Sequence, residues 1–118
     1  MKNILTFPKS SRLLTTAEFQ RVFGYRKSVA DSLLIIYAAE QDLGQNRLGI
    51  SVSRKVGNAV VRNRWKRLIR EAYRTNLLPK TAVEKYCDFV VVPKRGAALP
   101  KYAELEKSFQ KLTKCLTK

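Results

Sequence analysis

The sequence predicts an α+β fold, a two-layer α/β sandwich with the element order α-β-β-α-β-α, and three observations lead to it. Segments whose apolar residues recur at helical spacing alternate with short apolar or alternating segments that are typical of strands. A hydrophobic content of 45% agrees with a folded globule. The 118 residues are enough for one modest core but too few for two, so we expect a single domain over residues 1–118.

The N-terminal sequence predicts an irregular arm followed by a short helix. Residues 1–14 are expected to form a basic, irregular arm, because a proline and a pair of serines disfavour regular structure there. Thr15 followed by Glu18 has the form of a capping box, which predicts a helix from about Thr16 to Phe23 that stops at Gly24. Three apolar residues share one face of this helix, Phe19, Val22 and Phe23, and their spacing alone predicts that they are buried in the core.

Two strands are predicted next, and we expect them to run antiparallel. The aliphatic segment Leu33 to Ala39 is followed by a polar turn, and the segment Arg47 to Ser53 alternates between apolar and small or polar residues. One face of the second strand carries Leu48, Ile50 and Val52, and the other carries Arg47, Gly49, Ser51 and Ser53. The glycine and serines of the second face have small side chains, so the backbone of a ligand could approach it closely. A strand face that is simply exposed to solvent explains the pattern equally well.

A long basic helix is predicted from about Ala59 to Thr75. Asn58 can cap its first turn, and Asn76 and Pro79 end it. An apolar stripe along one side, which we interpret as core, consists of Val61, Trp65, Leu68, Ile69 and Ala72. The other side carries a cationic ridge at i, i+4 spacing, Arg62, Lys66, Arg70 and Arg74, with Asn63 and Arg67 beside it and Arg64 at the opposite margin of the stripe.

A buried strand and a final helix complete the predicted fold. Phe89 to Val92 is a continuous apolar run, which is typical of a strand in the interior of a sheet, and Pro93 ends it. The last helix is predicted from about Tyr102 to Leu116. If the strands on either side of the basic helix pair in parallel, they form a βαβ crossover with it, for which general sterics predict a right-handed connection.

The charge of the chain predicts a polyanionic partner. Its formal net charge is +15 and its sequence pI is about 10.3. The run from Arg54 to Arg74 holds 8 of the 24 Lys and Arg residues and a single acid, Glu71, so like charges repel along the helix without compensation. The phosphate backbone of a nucleic acid would supply the missing negative charge, and an anionic membrane surface is the main alternative.

The composition argues against catalysis by the protein itself. The chain contains no His, which removes the commonest general base and the usual Ser-His and Cys-His pairs. Cys87 and Cys115 are isolated thiols, which we interpret as reduced, and the nine acids form no cluster that predicts a metal site. No apolar run approaches the roughly 20 residues that span a bilayer. We therefore expect a cytoplasmic binding protein with no membrane association, no catalytic residue and no metal or cofactor of its own.

The basic helix also carries a resemblance to a known family. The segment Lys55 to Glu71, with its Gly-Asn-Ala-Val, Arg-Asn-Arg, Lys-Arg and Arg-Glu at fixed spacing, is similar to the arginine-rich signature of the bacterial ribonuclease P protein subunit. Further similarity is found at Phe19 to Phe23, Ser28 to Ala30, Leu48 to Ser53 and Lys94 to Arg95. The resemblance implies a subunit that assists a catalytic RNA, which removes the 5′ leader from precursor tRNA with Mg²⁺ held mainly by RNA. It also implies a left-handed crossover through the basic helix, which we adopt over the general expectation.

The resemblance implies two sets of binding residues. The set expected to contact the catalytic RNA is Arg62, Asn63, Arg64, Lys66, Arg67 and Arg70. The set expected to bind the precursor leader lies in a cleft between the first helix and the open face of the sheet, lined by Phe19, Phe23 and Tyr37, with Ser51, Ser53, Arg54, Lys55, Lys94 and Arg95 near its rim. Aromatic faces stack on single-stranded bases with little sequence preference, as a cleft that serves many leaders requires.

Two other functions fit the same residues. A structural RNA-binding protein, such as a ribosomal component, could use the same basic helix and would show the same salt-dependent binding. A helix-turn-helix DNA reader is disfavoured, because the basic helix follows a strand and not a partner helix. The sequence predicts no obligate protein partner, so the expected partners are the ribonuclease P catalytic RNA and precursor tRNA.

Overall fold

A computed structural model describes residues 12–25, 27–76, 86–94 and 96–116 of the chain. The elements in chain order are α1 (Thr16–Gly24), β1 (Ser28–Ala30), β2 (Leu34–Gln41), β3 (Arg47–Ile50), a short 3-10 helix (Arg54–Val56), α2 (Ala59–Asn76), β4 (Tyr86–Pro93) and α3 (Tyr102–Leu116). The four strands form one sheet in the order β1-β2-β4-β3. The α+β prediction is confirmed, and α1, α2 and α3 begin where the sequence predicts.

The pairing of the strands places β4 between β2 and β3. β2 and β4 are antiparallel, with Leu34 opposite Pro93. β3 and β4 are parallel, with Arg47 opposite Asp88, so the predicted crossover from β3 through α2 to β4 is confirmed. β2 and β3 run in opposite directions, as expected, but they are not neighbours. The left-handed sense of the crossover stays a prediction.

Several strand boundaries differ from the predicted ones. β1 is absent from the prediction, since a strand of three residues without an apolar run carries little local signal. β3 ends at Ile50 and not at Ser53, although Ser51 N–H still donates to the carbonyl oxygen of Val91 at 3.1 Å. β4 begins at Tyr86, before the apolar run, because its first residues pair with the end of β2, with Tyr86 opposite Gln41.

Local hydrogen bonds account for the starts of α1 and α2. The predicted capping box is present, since Glu18 N–H donates to Thr15 Oγ1 at 3.2 Å and Thr15 N–H donates to Glu18 Oε1 at 3.0 Å. At α2, Val61 N–H donates to Asn58 Oδ1 at 3.0 Å, as the sequence predicts. These caps fix the first turns of the two helices that carry most of the predicted binding residues.

The main hydrophobic core lies between one face of the sheet and the pair α2 and α3. The strands contribute Leu34, Ile36, Ala38, Leu48, Phe89 and Val91, and the helices contribute Trp65, Ile69, Ala72, Tyr73, Leu105, Phe109 and Leu112. The predicted burial of Trp65 is confirmed. Tyr73 lies outside the predicted stripe but is buried too, and its burial raises its pKa. This core holds α2 from one side, so the opposite side of the helix faces solvent.

A smaller core lies on the other face of the sheet, under α1. It consists of Leu13, Val22, Ala39 and Val90, with Phe19, Tyr37 and Val92 packed against it. Leu13 N–H donates to the carbonyl oxygen of Leu48 at 2.9 Å, so the end of the predicted irregular arm is ordered against β3. Residues 1–11 of that arm lie outside the described residues. Ser28 and Ala30 of β1 share this sheet face and are exposed, so α1 leaves part of the face uncovered.

Candidate nucleic-acid interface

The outer side of α2 is a cationic surface. Four of the six residues predicted to contact the catalytic RNA are exposed there, and we call them the α2 face: Asn63, Arg64, Arg67 and Arg70. The buried side chains of Trp65 and Ile69 hold the helix from its other side. The α2 face therefore points away from the sheet, where a partner as large as an RNA can reach it.

The other two predicted RNA contacts, Arg62 and Lys66, are half-buried. Arg62 Nη1 donates to the carbonyl oxygen of Gly57 at 2.9 Å, which ties α2 to the loop before it. Gly57 is closely packed as well, because a Cβ atom there would lie 2.9 Å from Cγ1 of Val61. The glycine and the first arginine of the signature thus have a role inside the protein, in addition to the contact predicted for Arg62.

The exposed cations of α2 do not follow the predicted i, i+4 ridge. At its C-terminal end, Arg74 is half-buried and forms an ion pair with Glu71. At its N-terminal end, Arg62 is held by the backbone of Gly57. The outermost line of positive charge consequently runs through Arg64, Arg67 and Arg70.

The ring of Phe19 on α1 reaches β3 at a point where the strand has no side chain. A Cβ atom on Gly49 would lie 2.7 Å from Cζ of Phe19 and 3.0 Å from Cδ1 of Leu13, which is closer than packed atoms come. The ring of Phe19 therefore fills the space that the sequence left open to a ligand or to solvent. An aromatic side chain of α1 thus reaches this strand, and Gly49 serves packing within the protein.

Phe23 and Tyr37 form the part of the predicted cleft that reaches the surface. Their ring centroids are 4.8 Å apart at an interplanar angle of 89°, an edge-to-face contact between α1 and β2. Phe23 is 37% exposed, and Tyr37 is half-buried. Ser28 of the uncovered strand β1 lies opposite Tyr37, so the aromatic pair borders the open part of the sheet. The structure thus brings together the three aromatic residues predicted for the cleft.

The predicted rim of the cleft is mostly exposed. Ser53, Arg54, Lys55 and Lys94 are exposed, and Ser51 is half-buried. Lys55 N–H donates to Ser53 Oγ at 3.3 Å, which starts the 3-10 helix. Lys94 Nζ donates to the carbonyl oxygen of Asp31 at 3.1 Å, which holds its ammonium at the turn between β1 and β2. Arg95, the remaining rim residue, lies outside the described residues.

An ion-pair network that the sequence does not predict lies between α1 and the sheet. Asp88 is fully buried, and its carboxylate accepts hydrogen bonds from Arg47 Nε at 2.8 Å and Arg47 Nη2 at 2.7 Å. Arg21 Nη1 donates to the same carboxylate at 3.2 Å, and Gln41 Nε2 donates at 3.1 Å. Arg47 Nη1 also donates to Glu18 Oε2 at 3.0 Å. We call these five residues the Asp88 network.

Arg21 and Arg47 form ion pairs with Asp88 inside the protein. The net charge of the chain therefore includes two cations that stabilise the fold. Hydrogen bonding to Asp88 raises the pKa of Arg47, which stays charged. Hydrogen bonds from the backbone N–H groups of Leu14 and Thr15, with the charge of Arg47, lower the pKa of Glu18. The one sequence signal for this network is an aspartate beside a continuous apolar strand, where a lone carboxylate would need partners.

The two sides of α1 differ in chemistry. Helical spacing gives the helix a polar flank, Glu18 and Arg21, and an aromatic flank, Phe19 and Phe23. A recess of about 850 Å³ opens on the polar flank, lined by Arg21, Tyr25, Glu40, Gln41, Asp42, Leu43, Gly44, Arg47 and Tyr86. The carboxylates of Glu40 and Asp42 in its lining would repel phosphate, so we do not count this recess as part of the candidate RNA interface.

Within the part of the chain that the structure describes, no group of three or more His, Cys, Asp and Glu side chains is arranged to hold a metal ion. None of its helices combines the length and the apolar character that a membrane span needs.

Comparison with known proteins decides the family. A family model described as Ribonuclease P matches residues 7–117. The chain belongs to the ribonuclease P protein family. The ribonuclease P protein component of Clostridium novyi is 43% identical over 108 residues, which cover 90% of this chain and 93% of that protein. The component of Lachnoclostridium phytofermentans is 40% identical over 105 residues, which cover 89% of this chain and 88% of that protein.

Solved structures of ribonuclease P proteins share the fold. The Staphylococcus aureus protein superposes with a TM-score of 0.79 at 31% identity, covering 92% of this chain and 96% of that chain. The Thermotoga maritima protein superposes with a TM-score of 0.73 at 28% identity, covering 85% of this chain and 92% of that chain. The family resemblance of the signature helix is thereby confirmed, and the roles of individual site residues stay predictions.

Proposed function

We propose that this chain is the protein subunit of ribonuclease P, an endoribonuclease that contains RNA. In this proposal the chain binds the catalytic RNA and the 5′ leader of precursor tRNA, and it assists removal of the leader to give the mature 5′ end. The observation that carries the proposal is that this chain, a member of the family, exposes Arg64, Arg67 and Arg70 on one surface, the α2 face.

We assign the chemistry of cleavage to the RNA partner. The chain has no His to act as the commonest general base. The Mg²⁺ ions of the holoenzyme are assigned mainly to RNA phosphates, because a hard cation prefers oxygen ligands and retains water. The isolated chain is expected to be inactive, and its expected location is the cytoplasm.

The catalytic RNA is assigned to the α2 face. Guanidinium groups suit phosphate recognition, since their planar fork can donate two hydrogen bonds to one phosphate. Asn63 adds a side chain that can both donate and accept. Arg62 and Lys66 flank this surface and are half-buried, so their contacts would lie at its margin.

The leader is assigned to the cleft beside α1. The exposed aromatic surface of Phe23 and Tyr37 can stack on a single-stranded base, and each such stack contributes about 1–3 kcal/mol with little sequence preference. The rim offers hydroxyl groups and positive charges that suit the sugar-phosphate backbone, from Ser53, Arg54, Lys55 and Lys94. A cleft of this kind would hold leaders of different sequence.

A comparison of precursor and mature tRNA tests the leader assignment. The holoenzyme is assembled from the full chain and ribonuclease P RNA, and its affinity for both tRNAs is measured with the wild-type chain and with Phe23→Ala. We expect Phe23→Ala to reduce the preference for precursor by about 5- to 150-fold, the loss of one base stack. Equal loss for both tRNAs would overturn the leader assignment.

The identity of the RNA partner is tested separately. The chain is purified from the cells that express it, and the RNA bound to it is sequenced. The proposal predicts ribonuclease P RNA and precursor tRNA. Ribosomal RNA in their place would favour the alternative of a structural RNA-binding protein.

A further inference from the structure

α1 is held to the sheet by polar contacts as well as by apolar burial. This helix, which lies wholly within the described residues, has one fully buried side chain, Val22. Its aromatic flank rests on Gly49 and against Tyr37. Its polar flank enters the Asp88 network twice, through Arg21 and through Glu18. The position and rotation of this short helix therefore depend on these directional contacts together with the packing of Phe19 and Val22.

Asp88 provides a rigid anchor for the polar flank. The bidentate pair with Arg47 fixes the plane of the carboxylate, because both oxygens are engaged by one guanidinium. Arg21 then reaches Asp88 Oδ2 with one nitrogen, and its second nitrogen donates to the carbonyl oxygen of Glu40. A planar guanidinium with two fixed acceptors defines both where α1 lies and how it is rotated.

The rotation of α1 about its axis determines where the ring of Phe23 lies relative to Tyr37. Arg21 and Phe23 are two positions apart in a helix of nine residues, so their side chains leave it on different sides. A movement that separates Arg21 from Asp88 also moves the ring of Phe23 relative to Tyr37. Edge-to-face pairs keep their centroids within about 4.5–7 Å, so such a movement weakens or breaks this contact.

We propose that Arg21 and Asp88 are positioning residues that hold α1 where Phe23 and Tyr37 can bind a single-stranded RNA leader. Neither residue lines the cleft, because Asp88 is buried and Arg21 lines the recess on the other flank. We therefore expect an effect of either residue on leader binding to pass through the position of α1. The inference rests on the proposed function of the cleft, but the positioning itself can be measured in the free protein.

Arg21 is the better residue to change first. Its side chain is 45% exposed, and its removal leaves Asp88 paired with Arg47, so no buried charge is stranded. Arg21→Lys keeps the positive charge but replaces the planar fork that donates to Asp88 and to the carbonyl oxygen of Glu40 with a single nitrogen on a flexible chain. Arg21→Ala removes charge and contacts together. Gln20→Ala, at an exposed neighbouring position of the same helix, is the matched control.

The first measurement uses the free protein. The nuclear Overhauser effect between the rings of Phe23 and Tyr37 reports their contact, and the fluorescence of the buried Trp65 reports the main core. We expect both Arg21 variants to lose or weaken the ring contact with the Trp65 signal unchanged. Asp88→Asn should give the same loss, and the Arg21 variants decide the question if Asp88→Asn does not fold.

The second measurement uses the holoenzyme of the full chain and ribonuclease P RNA. We expect Arg21→Lys and Arg21→Ala to reduce the preference for precursor over mature tRNA by about 5- to 150-fold, the effect of one lost base stack. The affinity of the chain for ribonuclease P RNA alone should be unchanged, because α2 packs on the other face of the sheet. Gln20→Ala should match the wild type in both.

Three results would overturn the inference. One is an unchanged ring contact and precursor preference in both Arg21 variants. Another is a loss in Arg21→Ala but not in Arg21→Lys, since charge alone would then explain it. The third is a parallel loss of affinity for ribonuclease P RNA, which would indicate a global effect. If the wild-type holoenzyme showed no precursor preference, the leader function would fail, and the ring contact in the free protein would still decide the positioning.

Discussion

A Cβ atom placed on Gly49 would lie 2.7 Å from Cζ of Phe19, so α1 and β3 meet where the strand has no side chain. The ring of Phe19 thus sets how closely α1 approaches the sheet. The same helix carries Phe23 to its edge-to-face contact with Tyr37. Gly49, where the sequence left space for a ligand, is therefore a packing contact that positions α1 on the sheet.

Replacing Gly49 with Ala tests this packing. The added methyl group must displace Phe19 or Leu13, so we expect the free energy of unfolding to fall by about 1–3 kcal/mol, the usual cost of overpacking. Urea unfolding measures the change. Gly24→Ala is the matched control, because a Cβ atom there meets nothing within 4 Å, and we expect no loss of stability. Equal stability of Gly49→Ala and the wild type would contradict the packing described for Phe19.

Removing the three arginines of the α2 face should weaken RNA binding without unfolding the protein. We expect the triple change of Arg64, Arg67 and Arg70 to Gln to reduce the slope of log affinity against log salt by roughly 2–3, since each phosphate contact contributes about 0.7–0.9. Thermal stability should stay equal or rise, because like-charge repulsion along the helix is relieved. Binding titrations at several salt concentrations and a thermal melt check both points. An unfolded triple variant would show that these arginines serve the fold.

Arg62 should behave differently from the α2 face. Arg62→Gln removes the hydrogen bond to the carbonyl oxygen of Gly57, so we expect the free energy of unfolding to fall by about 1 kcal/mol. Arg67→Gln, at an exposed position of the same helix, is the control and should leave stability unchanged. Denaturant unfolding of the two variants gives the comparison. The structural role of Arg62 is refuted if both variants are as stable as the wild type.

Glu18 should make stability depend on acid pH. Hydrogen bonds from the backbone N–H groups of Leu14 and Thr15 lower its pKa below the ordinary value of 4.5. Because the folded pKa lies below the unfolded one, the stabilisation is fully present above about pH 4.5 and is lost as the pH falls through the folded value. Glu18→Gln keeps a capping-box side chain but loses the charge. In urea unfolding it should be less stable than the wild type at neutral pH, and the difference should shrink in acid. A difference that does not vary with pH would contradict this assignment.

Much of the fold could be predicted because its signals are local. The capping box at Thr15, the cap at Asn58 and the apolar stripe around Trp65 depend on residues a few positions apart, and all three are present in the structure. The Asp88 network could not be predicted in this way. Arg47 and Arg21 lie 41 and 67 positions from Asp88, so their meeting depends on the order of the strands and on where α1 docks.

The candidate site was predictable only in part. The helical wheel identified α2 as the cationic element, but it placed the ridge through Arg62 and Arg74, which the structure shows engaged with Gly57 and Glu71. A helical wheel shows which residues share a side of a helix, but it does not show contacts with the preceding loop or ion pairs within the helix. The aromatic cleft came from the family resemblance, since helical spacing alone places Phe19 and Phe23 in a core.

A reconstitution shows whether this chain assists a catalytic RNA. Removal of the 5′ leader from precursor tRNA is measured at low Mg²⁺ concentration with ribonuclease P RNA alone, with the chain alone and with both together. We expect efficient cleavage only with both, and none with the chain alone. Cleavage by the chain alone, or no stimulation of the RNA by the chain, would refute a role for this chain as the accessory subunit of a catalytic RNA.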